Sequence, residues 1–494
     1  MHYLEEEHIF AFLEEILLLL VVAKVLGALC QRRGIPALAG EIMAGVILGK
    51  TVLGRVAPAF FETLFPQDVA QMTMIETVSW FGVLFLLLST GFEVNISTVW
   101  RQGKAALYVG IVGVIIPFVI GCAAFAFVPE EFIGPAATRL TFTLFMAAAA
   151  SITAISIVAR ITHDLDILKS DVGLISLSAC AVNDLFGWLI FTVVLALVGG
   201  SDISPDALFR VFFEIILFAT VCLTVGSKIV GNLTRWLKSM DLPQPATTLT
   251  LVACLGMLCG AVTHWIGIHA VLGFFLAGIM AGNTTEISER NREAISQTIH
   301  AVFVPVFFAS IGLKIDFLAE SNLVLVIFFS VVAIGGKFVG AWAGARMADL
   351  SKPDSLSMGI LFTPGGAMEI IVGMLAMELA LISESVFVAI VVAALLSSVL
   401  VGPLMAWSIR HRRGLDIVSC LGRGSVLELE ASTREEAIAA LCNRAVRDGD
   451  LDYAVVYSAV SERESIMGTG LERGVAVPHA RLSGLDDPMI VFGR

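Results

Sequence analysis

The chain has 494 residues, of which 57% are apolar and only 15% charged, and its formal net charge is −12. Soluble domains run nearer about half apolar and a quarter charged, so a mean hydropathy of +0.90 excludes an ordinary soluble enzyme and a disordered chain. The acidic balance argues against nucleic-acid binding. None of the eight cysteines forms a CxxC pair, and most sit in apolar runs, as buried thiols do.

A membrane-spanning helix needs about 20 apolar residues, fewer where it is short or unwound. Apolar runs set against charged breaks predict about thirteen spans, at 9–30, 35–49, 75–92, 104–128, 140–160, 171–199, 207–230, 246–265, 268–283, 296–313, 321–346, 355–378 and 384–409. Lysine and arginine then separate by side. One set of alternate connections carries most of them, from Arg32 and Arg33 through Lys169 to Arg412 and Arg413. The other carries only Lys50, Arg55, Arg139, Arg210 and Lys314. The excess of positive charge belongs in the cytoplasm, which places the N-terminus outside and the C-terminus inside.

Taken in chain order, four spans break the apolar pattern. The fifth contains Ser151-Ile152-Thr153 after four alanines. Small residues allow close backbone approach, and hydroxyls can satisfy backbone groups freed by a local break. Ordinary small-residue helix packing reads the same way. The sixth span carries Asn183-Asp184 near the middle of almost thirty apolar residues. An aspartate at that depth costs about 2.5–3.5 kcal/mol on insertion scales and marks a functional position by default. Asp184 is the candidate carboxylate for a cation or a proton. Asn183 points about 100° away along a helix, and two readings stand: it joins the ion site, or it steadies a neighbouring helix.

The eleventh span buries Lys337, which either snorkels to an interface or acts as a partner to the carbonyl end of a half-helix or to Asp184. The twelfth holds Thr363-Pro364-Gly365-Gly366 at its centre, followed by Glu369. Pro-Gly-Gly cannot continue a regular helix. Two interrupted spans in corresponding halves are the sequence mark of a transporter site at the bilayer midplane. Lys24 in the first span reads as a snorkelling lysine.

These features assemble into an all-α polytopic membrane protein with inverted repeats and two crossed, unwound helices, over residues 1–413. A linker at 414–424 leads to a partial cytosolic α/β domain at 425–494. There a helix pattern covers 433–446, and strand-like runs cover 453–457 and 475–477.

Several stretches carry a family resemblance. Arg32-Arg33-Gly34-Ile35-Pro36 with Gly40-Glu41-Ile42 resembles the second span of the monovalent cation:proton antiporter superfamily, in its second branch. Gly91-Phe92-Glu93 resembles the end of the family's third span. Phe307-Phe308-Ala309-Ser310-Ile311-Gly312 resembles its tenth. The resemblance implies a dimerisation domain beside a core domain, a homodimer, and a bacterial inner-membrane location. It implies that Asp184 binds the transported ion or proton, with Thr153 and Ser151 offering hard oxygen ligands suited to an alkali cation and Lys337 compensating charge. It implies exchange of Na⁺, or of K⁺, for H⁺ by a secondary transporter that is no enzyme and needs no cofactor. Members read as electrogenic often carry two adjacent aspartates, and Asn-Asp is typical of electroneutral ones, which usually have arginine rather than a lysine like Lys337, so the combination leaves the stoichiometry open. A gated K⁺ channel and a non-transporting membrane sensor are the alternatives.

The tail resembles the enzyme IIA domain of the sugar phosphotransferase system, mannitol/fructose type, through Thr469-Gly470-Leu471-Glu472-Arg473-Gly474-Val475-Ala476-Val477-Pro478-His479. About half of such a domain is expected in the tail. The resemblance makes His479 a candidate phosphorylation site and makes phosphotransferase proteins candidate partners.

Overall fold

The computed structural model describes residues 6–66, 68–94, 96–168, 170–199, 205–410, 426–447, 451–466, 469–470, 476–480, 482 and 490–494. The linker at 414–424, Lys169, Arg412 and Arg413, residues 471–475 and Arg481 lie outside the described residues. The chain divides into two compact units, Met1–Trp407 and Ser408–Arg494.

The first unit runs α1 (Glu6–Arg32), α2 (Ala37–Leu48), α3 (Leu53–Val56), α4 (Pro58–Leu64), α5 (Val69–Glu93), α6 (Ile96–Phe125), α7 (Arg139–Ser151), α8 (Ile155–Asp164) and α9 (Asp171–Gly199). It continues with α10 (Pro205–Val221), α11 (Ser227–Ser239), α12 (Ala246–Trp265), α13 (Ala270–Gly282), α14 (Glu289–Thr298), α15 (Val304–Lys314), α16 (Leu323–Met347), α17 (Lys352–Leu361), α18 (Gly366–Glu378) and α19 (Glu384–Arg410). Among the described residues, ten helical segments are long and apolar enough to cross a membrane, and α17 with α18 forms an eleventh, bent by 45° at its break. The other two predicted spans are helices as well. One is α1, which carries Glu14, Glu15 and Lys24 among its apolar residues, and the other is α13, which has only 13 residues.

Packing sorts these helices into two bundles. In one, α6 packs on α7, α9 and α16, and α16 on α17. In the other, α13 packs on α5 and α12, α2 on α1 and α15, and α15 on α5. The bundles meet more sparsely, through pairs such as α9 with α10 and α5 with α8. We call the first the core bundle and the second the panel. Within the panel, α2 and α15 cross at Gly45 and Gly312. A Cβ on Gly45 would overlap the backbone carbonyl of Ala309, and one on Gly312 would press on Ile42 and Val46. Without a hydrophobic drive between helices in lipid, such close backbone contact is what holds them.

In the second unit, α20 (Arg434–Val446) starts from a capping box. Thr433 accepts from the Glu436 N–H, and the Glu436 carboxylate accepts from the Thr433 N–H. Hydrogen bonds from the Ser432 backbone, the Ser432 hydroxyl and the Thr433 backbone hold the Glu436 carboxyl below the usual carboxylate range. The next element corrects a sequence expectation. Residues 453–457 are the start of a helix, α21 (Tyr453–Ile466), not a strand. Tyr453, Val455 and Val456 have strand propensity, but Asp452 caps the first turn, and Val456 and Val460, one turn apart, pack against Ile438 and Cys442 of α20. Tertiary packing outweighs local propensity here. Two short parallel strands, β1 (Val426–Leu427) and β2 (Phe492–Gly493), pair beside them.

The α2–α15 crossing gives a direct test. Gly45→Val introduces two methyl groups and a Cβ where a carbonyl stands, an overpacking that costs about 1–3 kcal/mol or more. The expected result is a lower melting temperature of the detergent-solubilised protein by fluorescence, whereas Gly335→Ala, with open space at its Cβ position, leaves it unchanged.

Candidate functional site

The fifth span is broken. α7 ends at Ser151, residues 152–154 are not helical, and α8 restarts at Ile155. The twelfth span breaks in the same way between α17 and α18, at residues 362–365. Each break frees N–H and C=O groups that hydrocarbon cannot satisfy. The two breaks satisfy one another. The Ala154 N–H donates to the Pro364 carbonyl at 3.0 Å, and the Thr153 hydroxyl donates to the Phe362 carbonyl at 3.0 Å.

Neighbouring helices complete the set. The Thr153 N–H donates to Asn183 Oδ1 of α9 at 3.0 Å. The Gly365 N–H donates to Ser397 Oγ of α19 at 3.3 Å. Ser151 turns its hydroxyl onto the Ala148 carbonyl at 2.8 Å, and Thr363 turns its own onto Ile360 at 2.8 Å. Gly366 opens α18 at φ +54, a conformation that L side chains rarely adopt.

Lys337 does not pair with Asp184, as one sequence reading had it. Its ammonium lies 3.3 Å from Glu369 Oε2, and the two side chains are 0% and 1% exposed. Glu369 itself is helical rather than unwound. It stands in the first turn of α18, where the helix dipole favours a carboxylate. The absence of a side chain at Gly365 makes room for this pair, because a Cβ there would overlap Glu369 Oε2. Snorkelling is also excluded for Lys337. Lys24, by contrast, stays exposed and donates to the His300 carbonyl.

Asp184 is 0% exposed, and neither of its carboxylate oxygens has a hydrogen-bond partner among the described residues. It stands on a buried row of α9 with Cys180 one turn before and Trp188 one turn after, and Trp188 Nε1 is also unpartnered. The structure thus brings Asn183, Thr153 and both breaks into one hydrogen-bonded cluster, with Asp184 adjoining it in sequence and Lys337–Glu369 beside Gly365. His479 lies in the second unit, with Nδ1 placed to donate to the Val477 carbonyl at 2.9 Å.

Two contributors escaped sequence reasoning. Ser397 looks like any small residue of a span. Glu93, the last residue of α5, is near enough to Asp184 for their charges to interact, and its side chain is exposed. Gly91-Phe92-Glu93 helped to carry the family resemblance, but nothing in that stretch pointed to a place near Asp184.

The sodium/hydrogen exchanger transmembrane family profile matches residues 17–408. The chain belongs to this family. A second profile, that of the phosphoenolpyruvate-dependent sugar phosphotransferase system EIIA 2 family, matches residues 424–494. Among curated relatives, cation/H(+) antiporter 17 of Arabidopsis thaliana is 29% identical over 79% of this chain and 47% of its own length. The chain thus spans about half the length of such relatives. The Na(+)/H(+) antiporter NhaS4 of Synechocystis is 27% identical over 80% of this chain and 96% of its own. The solved sodium proton antiporter MjNhaP1 of Methanocaldococcus jannaschii shares the exchanger fold, with a TM-score of 0.59 at 16% identity over 81% of this chain and 97% of that one.

The buried pair yields a prediction. Lys337→Met leaves Glu369 buried without its counter-charge, a loss of about 3–5 kcal/mol. Thermal unfolding should show that loss, and Lys337→Met combined with Glu369→Met should recover most of it.

Proposed function

We propose that this exchanger-family chain carries a monovalent cation, Na⁺ before K⁺, against protons across a bacterial inner membrane. The observation that supports the reading most is Asp184, a fully buried carboxylate with both oxygens unpartnered beside two crossed helix breaks. An unpaired charge there is costly, and binding either a proton or a cation removes that cost. One carboxylate holds one or the other, so loading the cation releases the proton.

The oxygens of Thr153 and Ser151 have their hydrogens directed at carbonyls, which leaves lone pairs for a hard cation. Asn183 holds the fifth-span break in shape. Lys337 with Glu369 balances the second break, and Thr363 and Pro364 keep that segment extended. The core bundle then moves against the panel to expose the site alternately on each side. The sparser contact between the bundles supports such movement. The lysine and arginine distribution supports an outside N-terminus and a cytoplasmic C-terminus, and the family resemblance supports a homodimer. The tail couples flux to sugar supply through His479 or through docking of phosphotransferase proteins.

Proteoliposomes with an internal pH dye test the core of this. Addition of Na⁺ or K⁺ should change the internal pH, and Asp184→Asn should abolish the change. Exchange retained in the variant, or cation flux without proton counterflow, overturns the reading in favour of another site or a channel. Competition at one carboxylate also sets a sign. As pH falls below the pKa of the site, the apparent KM for the cation should rise about tenfold per pH unit.

A further inference from the structure

A second polar site lies in the panel, away from the helix breaks. α1, α4, α5, α15 and the turn after α2 line an open pocket, with about 510 Å³ of non-atom space that includes open solvent. Glu15 of α1 and Gln71 of α5 line it, and each is 1% exposed. Gln71 Nε2 donates to Glu15 Oε2 at 2.8 Å. The other two oxygens, Glu15 Oε1 and Gln71 Oε1, are buried and have no partner among the described residues. Two unused acceptors at one place call for a donor with more than one hydrogen.

Two ammonium groups line the same cavity. Lys50 has no ion-pair partner among the described residues, and Lys314 reaches Glu76 only at 3.9 Å. Their backbones are held together. Thr51 Oγ1 donates to the Ile315 carbonyl at 3.1 Å and accepts from the Phe317 N–H at 3.0 Å, and Arg55 pairs with Asp316 at 2.8 Å. Beside the cavity, α3, α4 and the start of α5 turn apolar side chains outward. Val56 is 80% exposed, Phe60 58% and Val69 78%. Short helices with outward apolar residues next to lysines are suited to the headgroup layer of a bilayer.

We propose that this cavity binds the phosphoethanolamine headgroup of a phospholipid. The primary ammonium donates to Glu15 Oε1 and Gln71 Oε1. The phosphate meets Lys50 and Lys314, and the acyl chains run over Phe60 and Val69. The chemistry discriminates among headgroups. A choline group has no hydrogen to donate. A glycerol headgroup brings no positive charge to Glu15, and a bare cation would sit beside two lysines. The site shares no residue with the proposed transport site, so it stands or falls independently of it.

Native mass spectrometry on the delipidated full chain, titrated with phosphatidylethanolamine, phosphatidylglycerol or phosphatidylcholine, tests the assignment. The expected result is retention of phosphatidylethanolamine at least about tenfold over the other two, the scale of one charge-assisted hydrogen bond. Glu15→Gln should remove that preference. Lys50→Gln, a change at an exposed residue, should lower retention while leaving the fold intact by thermal melting. Equal retention of the three lipids, a preference for phosphatidylglycerol, or unchanged retention in Lys50→Gln each overturns the proposal.

Discussion

A polypeptide that stops being helical inside hydrocarbon has to find new partners for its own amide groups. In this chain two interrupted spans become each other's partners. The Ala154 N–H meets the Pro364 carbonyl, and the Thr153 hydroxyl meets the Phe362 carbonyl. Everything else at the centre of the core bundle follows from that exchange. It fixes where α8 and α18 begin and where α7 and α17 end. It brings Asn183 and Ser397 into place as side-chain substitutes for the missing turns. It also makes each break depend on the other, so neither can be rewound into a regular helix alone.

Charge follows the same economy. Lys337 and Glu369 neutralise one another at full burial beside Gly365. A buried pair of this kind adds little to stability over an apolar equivalent, while loss of one member is severe. Its physical effect is to leave Asp184 as the carboxylate at the crossing without a fixed counter-charge. A carboxylate already tied to Lys337 would compete poorly for a mobile cation. With Glu369 occupying that lysine, Asp184 keeps both oxygens without a partner among the described residues, as the proposed exchange requires.

Much of this was legible in the sequence, because membrane spans are written in length and hydropathy. Pro364 and the glycines after it announce a break, and an aspartate in an apolar span marks a candidate site. The partners of charges were not legible. Lys337 and Glu369 are 32 residues apart on different spans, and no local pattern says whether the lysine faces Glu369 or Asp184. The same holds for Glu93 and Ser397, whose roles exist only once α5 and α19 are packed. In the second unit the limit was different. Alternating bulky residues at Tyr453, Val455 and Tyr457 suit a strand until the apolar seam of α20 is there to receive Val456 and Val460.

Asn183 carries a consequence for how such a protein can diversify. Its Oδ1 accepts the Thr153 N–H, while its Nδ2 makes no hydrogen bond. A carboxylate at the same place would offer the same acceptor in the same shape. That hydrogen bond therefore makes no demand on the amide, and a single codon step to aspartate would keep it while adding a buried negative charge at an energetic cost. Under the proposed exchange, the charge carried at position 183 would then be a heritable setting separate from the architecture.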